Sequence, residues 1–306
     1  MKHVLLVCHS QTGQLRRCAD SLLSSLVASS EVQLEVLVPT PSKPFPFPWG
    51  VSDFLDVMPE SVLEIPVPMD PIRPQRQQYD LIVLAYQVWY LAPSLPVTAF
   101  LSSDAAKVLA GTPVVALCAC RNMWHSGWLK LKARLDALGA RVLDHVVLVD
   151  QGPTWATFVT TPRWMWTGKQ GGFGPFPAAG ISDDAIAALA PLGVRLRDAV
   201  HQGKLDASML RGSSPAPLTV LRKYVLPEFL ASHVFRAWAR LIRWAGRGFP
   251  GLRRPLEFVF LTWLCSSVLL LLPILVLTAI VVRVGWRGWF NGRVTLLAAP
   301  SGGEVT

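Results

Sequence analysis

The chain of 306 residues predicts an α/β fold, a doubly wound parallel sheet of five strands in the order 2-1-3-4-5. Three observations carry that expectation. Apolar runs bounded by turn signals recur at His3–Cys8, Val32–Val38, Leu81–Ala85, Val114–Cys118 and Val142–Val149. Helical patterns at Leu15–Ala28, Pro96–Ala110 and Trp128–Leu138 separate several of these runs, and Gly139 stops the last one. The first run ends in the polar, glycine-containing turn Ser10-Gln11-Thr12-Gly13-Gln14 and passes directly into a helix.

The individual elements follow from their side chains. The first, third and fourth runs are almost continuously hydrophobic, as strands covered on both faces are. Strand alternating with helix implies right-handed crossovers, which place loops at the carboxyl ends of strands one, three and four beside one another. Between strands two and three, residues 39–76 carry ten prolines, a density that excludes a long helix and leaves room for a short one near Val51–Met58. Residues 151–180 are rich in Trp, Gly, Thr and Pro, and Ser182–Gln202 opens with an N-cap serine and two aspartates, the start of a last helix. One domain over residues 1–205 and a linker over 206–217 follow.

Charge and cysteine content narrow the function. A net charge of +9 asks for an anionic partner, and no nucleic-acid-binding motif is present. Five cysteines, an odd number set mostly in apolar runs, read as reduced thiols, and the Cys118-x-Cys120 pair lacks a zinc spacing and a second ligand pair, so no metal is expected.

The C-terminal third reads as membrane-associated. Arg236, Arg240, Arg243 and Arg247 share a helical stripe opposite Leu230, Val234, Trp238, Leu241, Ile242 and Ala245, a basic amphipathic region over 218–255 suited to the anionic cytoplasmic leaflet. Phe258–Val282 contains no charge, and at about 1.5 Å per residue it exceeds a hydrocarbon core of roughly 30 Å. A transmembrane helix over 256–283 and a short tail over 284–306 are expected, with Trp286 and Trp289 in an interfacial belt. Eight Lys and Arg between Arg222 and Arg254 against three after the span place the chain as a single-pass protein of the inner membrane, with its domain on the cytoplasmic side.

Three loops hold the chemistry. The first, Ser10, Gln11, Thr12, Gly13 and Gln14, offers hydroxyls and unpaired helix N–H groups to a phosphate. The second, Gln87, Val88, Trp89 and Tyr90, and the third, Cys120, Arg121, Asn122 and Trp124, offer aromatic faces and polar groups to a flat amphipathic ring. His125 is the candidate acid/base by its loop position, and Arg163 the candidate for a polar head. Trp155, Trp164, Trp166 and Phe173 would form a greasy wall.

The Ser10-x-Thr12-Gly13 turn, the third strand from Tyr79-Asp80 to Val88-Trp89, and Pro96-Val97-x-Ala99-Phe100 resemble the flavodoxin and FMN-reductase family over residues 1–150. The third loop, Thr161-Pro162-Arg163-Trp164 and the hydrophobic tail are more similar still to membrane-tailed flavodoxin-like proteins linked to dialkylresorcinol biosynthesis, often labelled condensing enzymes. Leu15 stands where the family's loop has a last hydroxyl residue. The resemblance implies FMN as cofactor, a homodimer, and a flavin-dependent oxidoreductase acting on a lipophilic small-molecule substrate, such as a quinone or an alkyl-ring lipid in an aromatising step. Two other functions stand beside it: a non-catalytic flavodoxin-like scaffold at the membrane that has lost flavin, and a condensation using Cys120 with His125.

Overall fold

The computed structural model describes the backbone at every position except 286, 303 and 306, and the side chains at all but 269, 271–286 and 303–306. The chain runs β1 (Lys2–Cys8), α1 (Gln14–Val27), β2 (Val32–Leu37), α2 (Val51–Asp56), α3 (Met58–Val62) and β3 (Leu81–Tyr86). A small hairpin, β4 (Val88–Trp89) and β5 (Ala92–Pro93), precedes α4 (Leu95–Leu101), β6 (Pro113–Cys120), α5 (His125–Ala137) and β7 (Arg141–Val149). Then come α6 (Thr154–Thr167), α7 (Asp183–Ala187), α8 (Ala190–Gln202), β8 (Thr219–Val220), α9 (Arg222–Gly248), α10 (Arg253–Gly285) and α11 (Arg287–Ala298).

Five strands form one parallel sheet in the order β2-β1-β3-β6-β7, which is 2-1-3-4-5 when the hairpin strands are left out of the count. All six residues of β3 are buried, as the central position requires. Period-two alternation sends Leu5 and Val7 to one face and Val4 and Leu6 to the other. On the first face they meet α4, α5 and α11 through Phe100, Trp128, Leu131 and Phe290. On the second they meet α1 and α8 through Leu15, Leu22, Leu26, Leu192 and Leu196. Each such leucine stabilises the fold by roughly 1.5–3 kcal/mol relative to an exposed one. Gly193 of α8 sits so close to the Leu22 carbonyl of α1 that a Cβ has no space there.

The crossover over 39–76 keeps its prolines outside regular structure except for α2 and α3. Those short helices pack on α9: Leu55, Met58 and Val62 meet Phe235, Ala239 and Ile242, with Phe260 of α10 buried among them. Ion pairs fix the same junction. Glu60 accepts from Arg243 at 2.6 Å and from Arg253 at 2.9 Å, while Arg253 also reaches Asp56 at 2.8 Å and Glu257 at 3.0 Å.

Of the apolar face expected on the basic helix, Ile242 and Ala245 are buried and Trp238 packs against Phe260 and Trp263, while Leu230, Val234 and Leu241 are exposed; Phe235 and Ala239 are covered by the domain's own helices and by α10. One expectation for the C-terminal third, the transmembrane helix over 256–283, is corrected: among the described residues no helix is long and apolar enough to cross a membrane. The first turns of that stretch instead turn protein-ward, with Phe260 between Phe235, Trp238 and Tyr90 and with buried Glu257 ion-paired to Arg253. Most of the remaining stretch, 271–282, and Trp286 lie outside the described side chains. The single-pass inner-membrane placement with a cytoplasmic domain rested on that span and is corrected with it. Trp289 packs edge-on against Phe229, at 5.3 Å between ring centroids.

Buried Asp144 on β7 accepts one bond from the Leu210 N–H at 3.2 Å, and burial raises its carboxyl from 3.8 to about 6. An acid whose folded pKa is raised binds its proton more tightly in the native state, so its ionisation destabilises the fold above about 6 and not below 3.8. Asp144→Asn removes that ionisation. Its melting temperature relative to the parent therefore rises as pH climbs from 3.8 to about 6 and levels off beyond, measured by circular dichroism; a pH-independent difference contradicts the assignment.

Candidate functional site

The three loops after β1, β3 and β6 meet at one cavity of about 730 Å³. The first is locked in place by its own side chains. Gly13 adopts φ 81° at the N-cap of α1, a conformation open to glycine. The Gln11 amide donates to the Pro46 and Phe45 carbonyls at 2.8 and 3.2 Å, and the Gln11 N–H reaches Gln87 Oε1 at 3.4 Å, joining the first loop to the second. Gln14 is buried and exchanges two bonds with the backbone of Ile181, at 3.0 and 3.1 Å. Ser10 Oγ and Thr12 Oγ1 accept only long bonds of 3.3 and 3.4 Å from the Arg16 and Gln14 N–H groups. Leu15, where a hydroxyl would add a donor, is fully buried against the sheet and borders the cavity.

The second loop is strained. Tyr90 and Leu91 both have positive φ, 48° and 61°, at the turn of the β4–β5 hairpin. That is the dihedral pattern of a type I′ turn, for which Asn-Gly is the usual choice, and non-glycine residues there cost roughly 1–3 kcal/mol each. Packing compensates. Trp89 stands edge-on to Phe45 and Trp49 at 5.1 and 5.6 Å, and the Tyr90 hydroxyl donates to the Phe54 carbonyl at 2.7 Å. Burial raises the Tyr90 phenol, which stays neutral.

The third loop supplies charge. Arg121 lies with its guanidinium 4.1 Å over the Phe158 ring, and its Nε donates to Thr157 Oγ1 at 3.1 Å. Burial lowers its pKa, and among the described residues no carboxylate lies within ion-pair distance of it. Asp150, at the end of β7, borders the same cavity, but its oxygens already accept from the Gly152 and Gly180 N–H groups, both at 2.7 Å. Thr161 Oγ1 lines the cavity, is buried, and has no hydrogen-bond partner among the described residues.

Of the residues expected from sequence, Gln11, Thr12, Gln14, Gln87, Val88, Trp89, Tyr90, Cys120 and Arg121 border the cavity. Ser10, Gly13, Asn122 and Trp124 do not; Asn122 caps the Met123 N–H at 2.8 Å, and Trp124 is buried edge-on to His145. His125 faces away, with Nδ1 3.1 Å from Oε2 of the fully buried Glu228 of α9, whose Oε1 accepts from the Ser126 N–H at 2.6 Å. Arg163 is bonded to the Lys169 and Gly171 carbonyls and stacked on Phe173, outside the cavity. Trp164 and Trp166 line the wall, whereas Trp155 and Phe173 pack together with Phe176. No thiolate–imidazolium pair forms: the neighbouring Cys118 thiol and desolvation raise the pKa of half-buried Cys120, and His125 lies against Glu228.

The sequence reading misses one whole wall. Leu230, Ala231, Val234 and Phe235 of α9, with Leu261, Leu264 and Val268 of α10, close the cavity opposite the loops. Phe47, Trp49 and Phe54 of the proline-rich crossover also border it. The aromatic run between Phe45 and Phe54 was the available signal. The donor set fits FMN: hydroxyls and helix N–H groups for a phosphate, a cation held in no ion pair among the described residues, and aromatic walls for a flat ring.

Gly180 has φ 89°, and a Cβ there would lie 2.8 Å from the Gln14 amide and 2.9 Å from Trp164. Gly180→Ala is expected to lower stability by roughly 1–3 kcal/mol and to displace Gln14 from Ile181. Urea unfolding measures the first effect; a loss below a few tenths of a kcal/mol contradicts the close packing of this loop on the α1 N-terminus.

No protein-family model matches the chain, and no curated protein matches it significantly, so the dialkylresorcinol-linked resemblance has no counterpart in these comparisons. Among solved structures the chain is similar to a flavoprotein in complex with FMN from Lactobacillus acidophilus, at 17% identity over 48% of this chain and 93% of that one, with a TM-score of 0.39. It is similar to a flavodoxin from the domain Archaea at 12% identity, over 66% of this chain and 99% of that one, with a TM-score of 0.36. An azoreductase from Bacillus anthracis matches at 11% identity, over 65% of this chain and 99% of that one, with a TM-score of 0.35.

Proposed function

We propose that the protein is an FMN-dependent oxidoreductase acting on a lipophilic substrate, a quinone or an alkyl-ring lipid. The observation that supports this most is the continuity of one cavity from the polar loop at Gln11–Gln14, past buried Arg121, to the apolar wall of α9 and α10. FMN, when bound, supplies hydride or single-electron transfer. Thr12 and the N–H groups at the start of α1 hold the phosphate, with helix dipole and hydrogen bonds acting together. Trp89 and the strained Tyr90 turn present a rigid aromatic face to the ring. Arg121 places a positive charge beside the cavity, where low dielectric strengthens its pull on any negative charge that develops. Leu230, Ala231, Val234 and Leu264 exclude water and take the apolar part of the substrate.

The scaffold reading rests on a specific pair of observations, buried Leu15 and the engagement of Gln14 with Ile181, which together reduce the donors available to a phosphate. Colour decides between the two. Purified protein is expected to show the visible absorbance of oxidised flavin, and apoprotein to quench the fluorescence of added FMN. A colourless protein that leaves FMN fluorescence unchanged overturns the proposal and leaves the scaffold.

Arg121→Ala is expected to weaken FMN binding by roughly ten- to a hundredfold, the size of one lost charge-assisted hydrogen bond. Ala231→Trp is expected to raise KM for a long-chain quinone several-fold while leaving FMN affinity unchanged, since the added indole fills only the α9–α10 side. Fluorescence titration and steady-state assay with quinones of increasing chain length check both.

A further inference from the structure

The α9–α10 corner carries a second concave site, separate from the cavity above. It has a volume of about 630 Å³ and is bordered by Leu63 and Ile65 of the crossover, and by Arg240, Arg243, Trp244, Arg247 and Phe249 at the end of α9. Arg243 is already neutralised by Glu60 at 2.6 Å. Arg240, Arg247 and the neighbouring Arg254 are exposed, and among the described residues none of them has an ion-pair partner. Among the described residues, the carboxylates at this junction are all engaged: Glu60, Asp56 and Glu257 by Arg253 or Arg243, and Glu64, between Leu63 and Ile65, by Arg134. The result is a patch of free positive charge.

Large apolar side chains share this patch. Trp244 is 70% exposed and Phe249 63%, and Leu241 and Leu252 are exposed beside them. Both groups lie at the turn between two long helices. The face of α9 that carries Phe235, Ala239 and Ile242 is occupied by the domain, while Leu241, three residues before Trp244, extends the exposed apolar patch along the helix. An indole at the edge of an arginine cluster matches one surface in particular, a bilayer interface with phosphate headgroups outside and acyl chains beneath.

We infer that the protein docks on anionic phospholipid bilayers through this corner, with Arg240 and Arg247 on headgroup phosphates and Trp244 and Phe249 inserted at the interface. The contact is peripheral and does not depend on flavin. It sets the α9–α10 hairpin, which forms the apolar wall of the main cavity, against a source of lipophilic molecules.

Co-sedimentation of the full chain with vesicles tests it. The protein is expected to pellet with phosphatidylcholine vesicles containing phosphatidylglycerol, to be released by rising salt, and to bind pure phosphatidylcholine weakly. Arg240→Gln with Arg247→Gln lowers the partition coefficient about thirtyfold, two charges at the surface, and flattens the salt dependence. Trp244→Ala with Phe249→Ala lowers binding and leaves the salt slope unchanged. All four positions are on the surface, and retained unfolding midpoints and FMN affinity show that the variants fold. Absence of binding, equal binding to both vesicle types, parental binding by either double variant, or release by millimolar inorganic phosphate at constant ionic strength overturns the inference. None of these outcomes bears on flavin binding, which the absorbance spectrum reads separately.

Discussion

The cavity depends on a single buried carboxylate. Glu228, on α9, is fully enclosed; one oxygen accepts from the Ser126 N–H at the start of α5 and the other lies 3.1 Å from His125 Nδ1. A carboxylate at a helix N-terminus is favoured by the dipole and the free N–H groups, but a buried charge without such partners costs several kcal/mol. The two elements are therefore fixed in one relative position. α9 cannot move from α5 without stranding Glu228. The loop over 120–124, which leads into α5, inherits that fixed position, and so does the apolar wall of α9 that faces it. The junction of Glu60 with Arg243 and Arg253 repeats the arrangement at the other end of α9.

Backbone strain is distributed in the same way. Tyr90, Leu91 and Met123 hold positive φ without being glycine, and all three border the cavity. Strained residues persist only where surrounding packing over-determines them. Here that packing comes from the crossover and from the α9–α10 hairpin: Phe54 stacks near Tyr90 at 4.9 Å, and Phe260 stands 6.4 Å from it. Elements outside the sheet thus stabilise the conformation of loops that the sheet alone only positions.

This division explains what the sequence made legible. The strands of the sheet are runs of buried residues with sharp turn signals, and the first loop is a short polar motif at a fixed place after β1; both are local patterns. The third wall is not local. Phe45, Phe47, Trp49 and Phe54 sit among prolines, where periodicity carries no signal, and their meeting with Trp89 depends on tertiary packing. Glu228 is one acidic residue in a helix, indistinguishable in sequence from a solvated one. The amphipathic pattern of α9 was visible, yet an apolar stripe has the same spacing whether lipid or protein covers it. The position of His125 after β6 suggests a loop acid/base, but it is the first residue of α5, and its ring turns to the carboxylate behind the loop instead of the cavity ahead of it.

Leu15 shows how the same chain reconciles a core and a binding loop. At the first turn of α1 its side chain faces both the sheet and the cavity rim, so a hydroxyl there would place a polar group among Leu6, Cys8 and Ala119. Burying an unpartnered hydroxyl costs about 1–3 kcal/mol, which favours leucine. The donors at this end of the cavity then come from the backbone N–H groups and from Thr12. Positive charge comes from Arg121, which approaches from a different strand and, among the described residues, has no carboxylate within ion-pair distance, the charge of Asp150 acting on it only from farther away. These groups come from two strands of the sheet instead of from one loop, so their spacing follows the register of β6 against β1 through β3, the most deeply buried part of the fold.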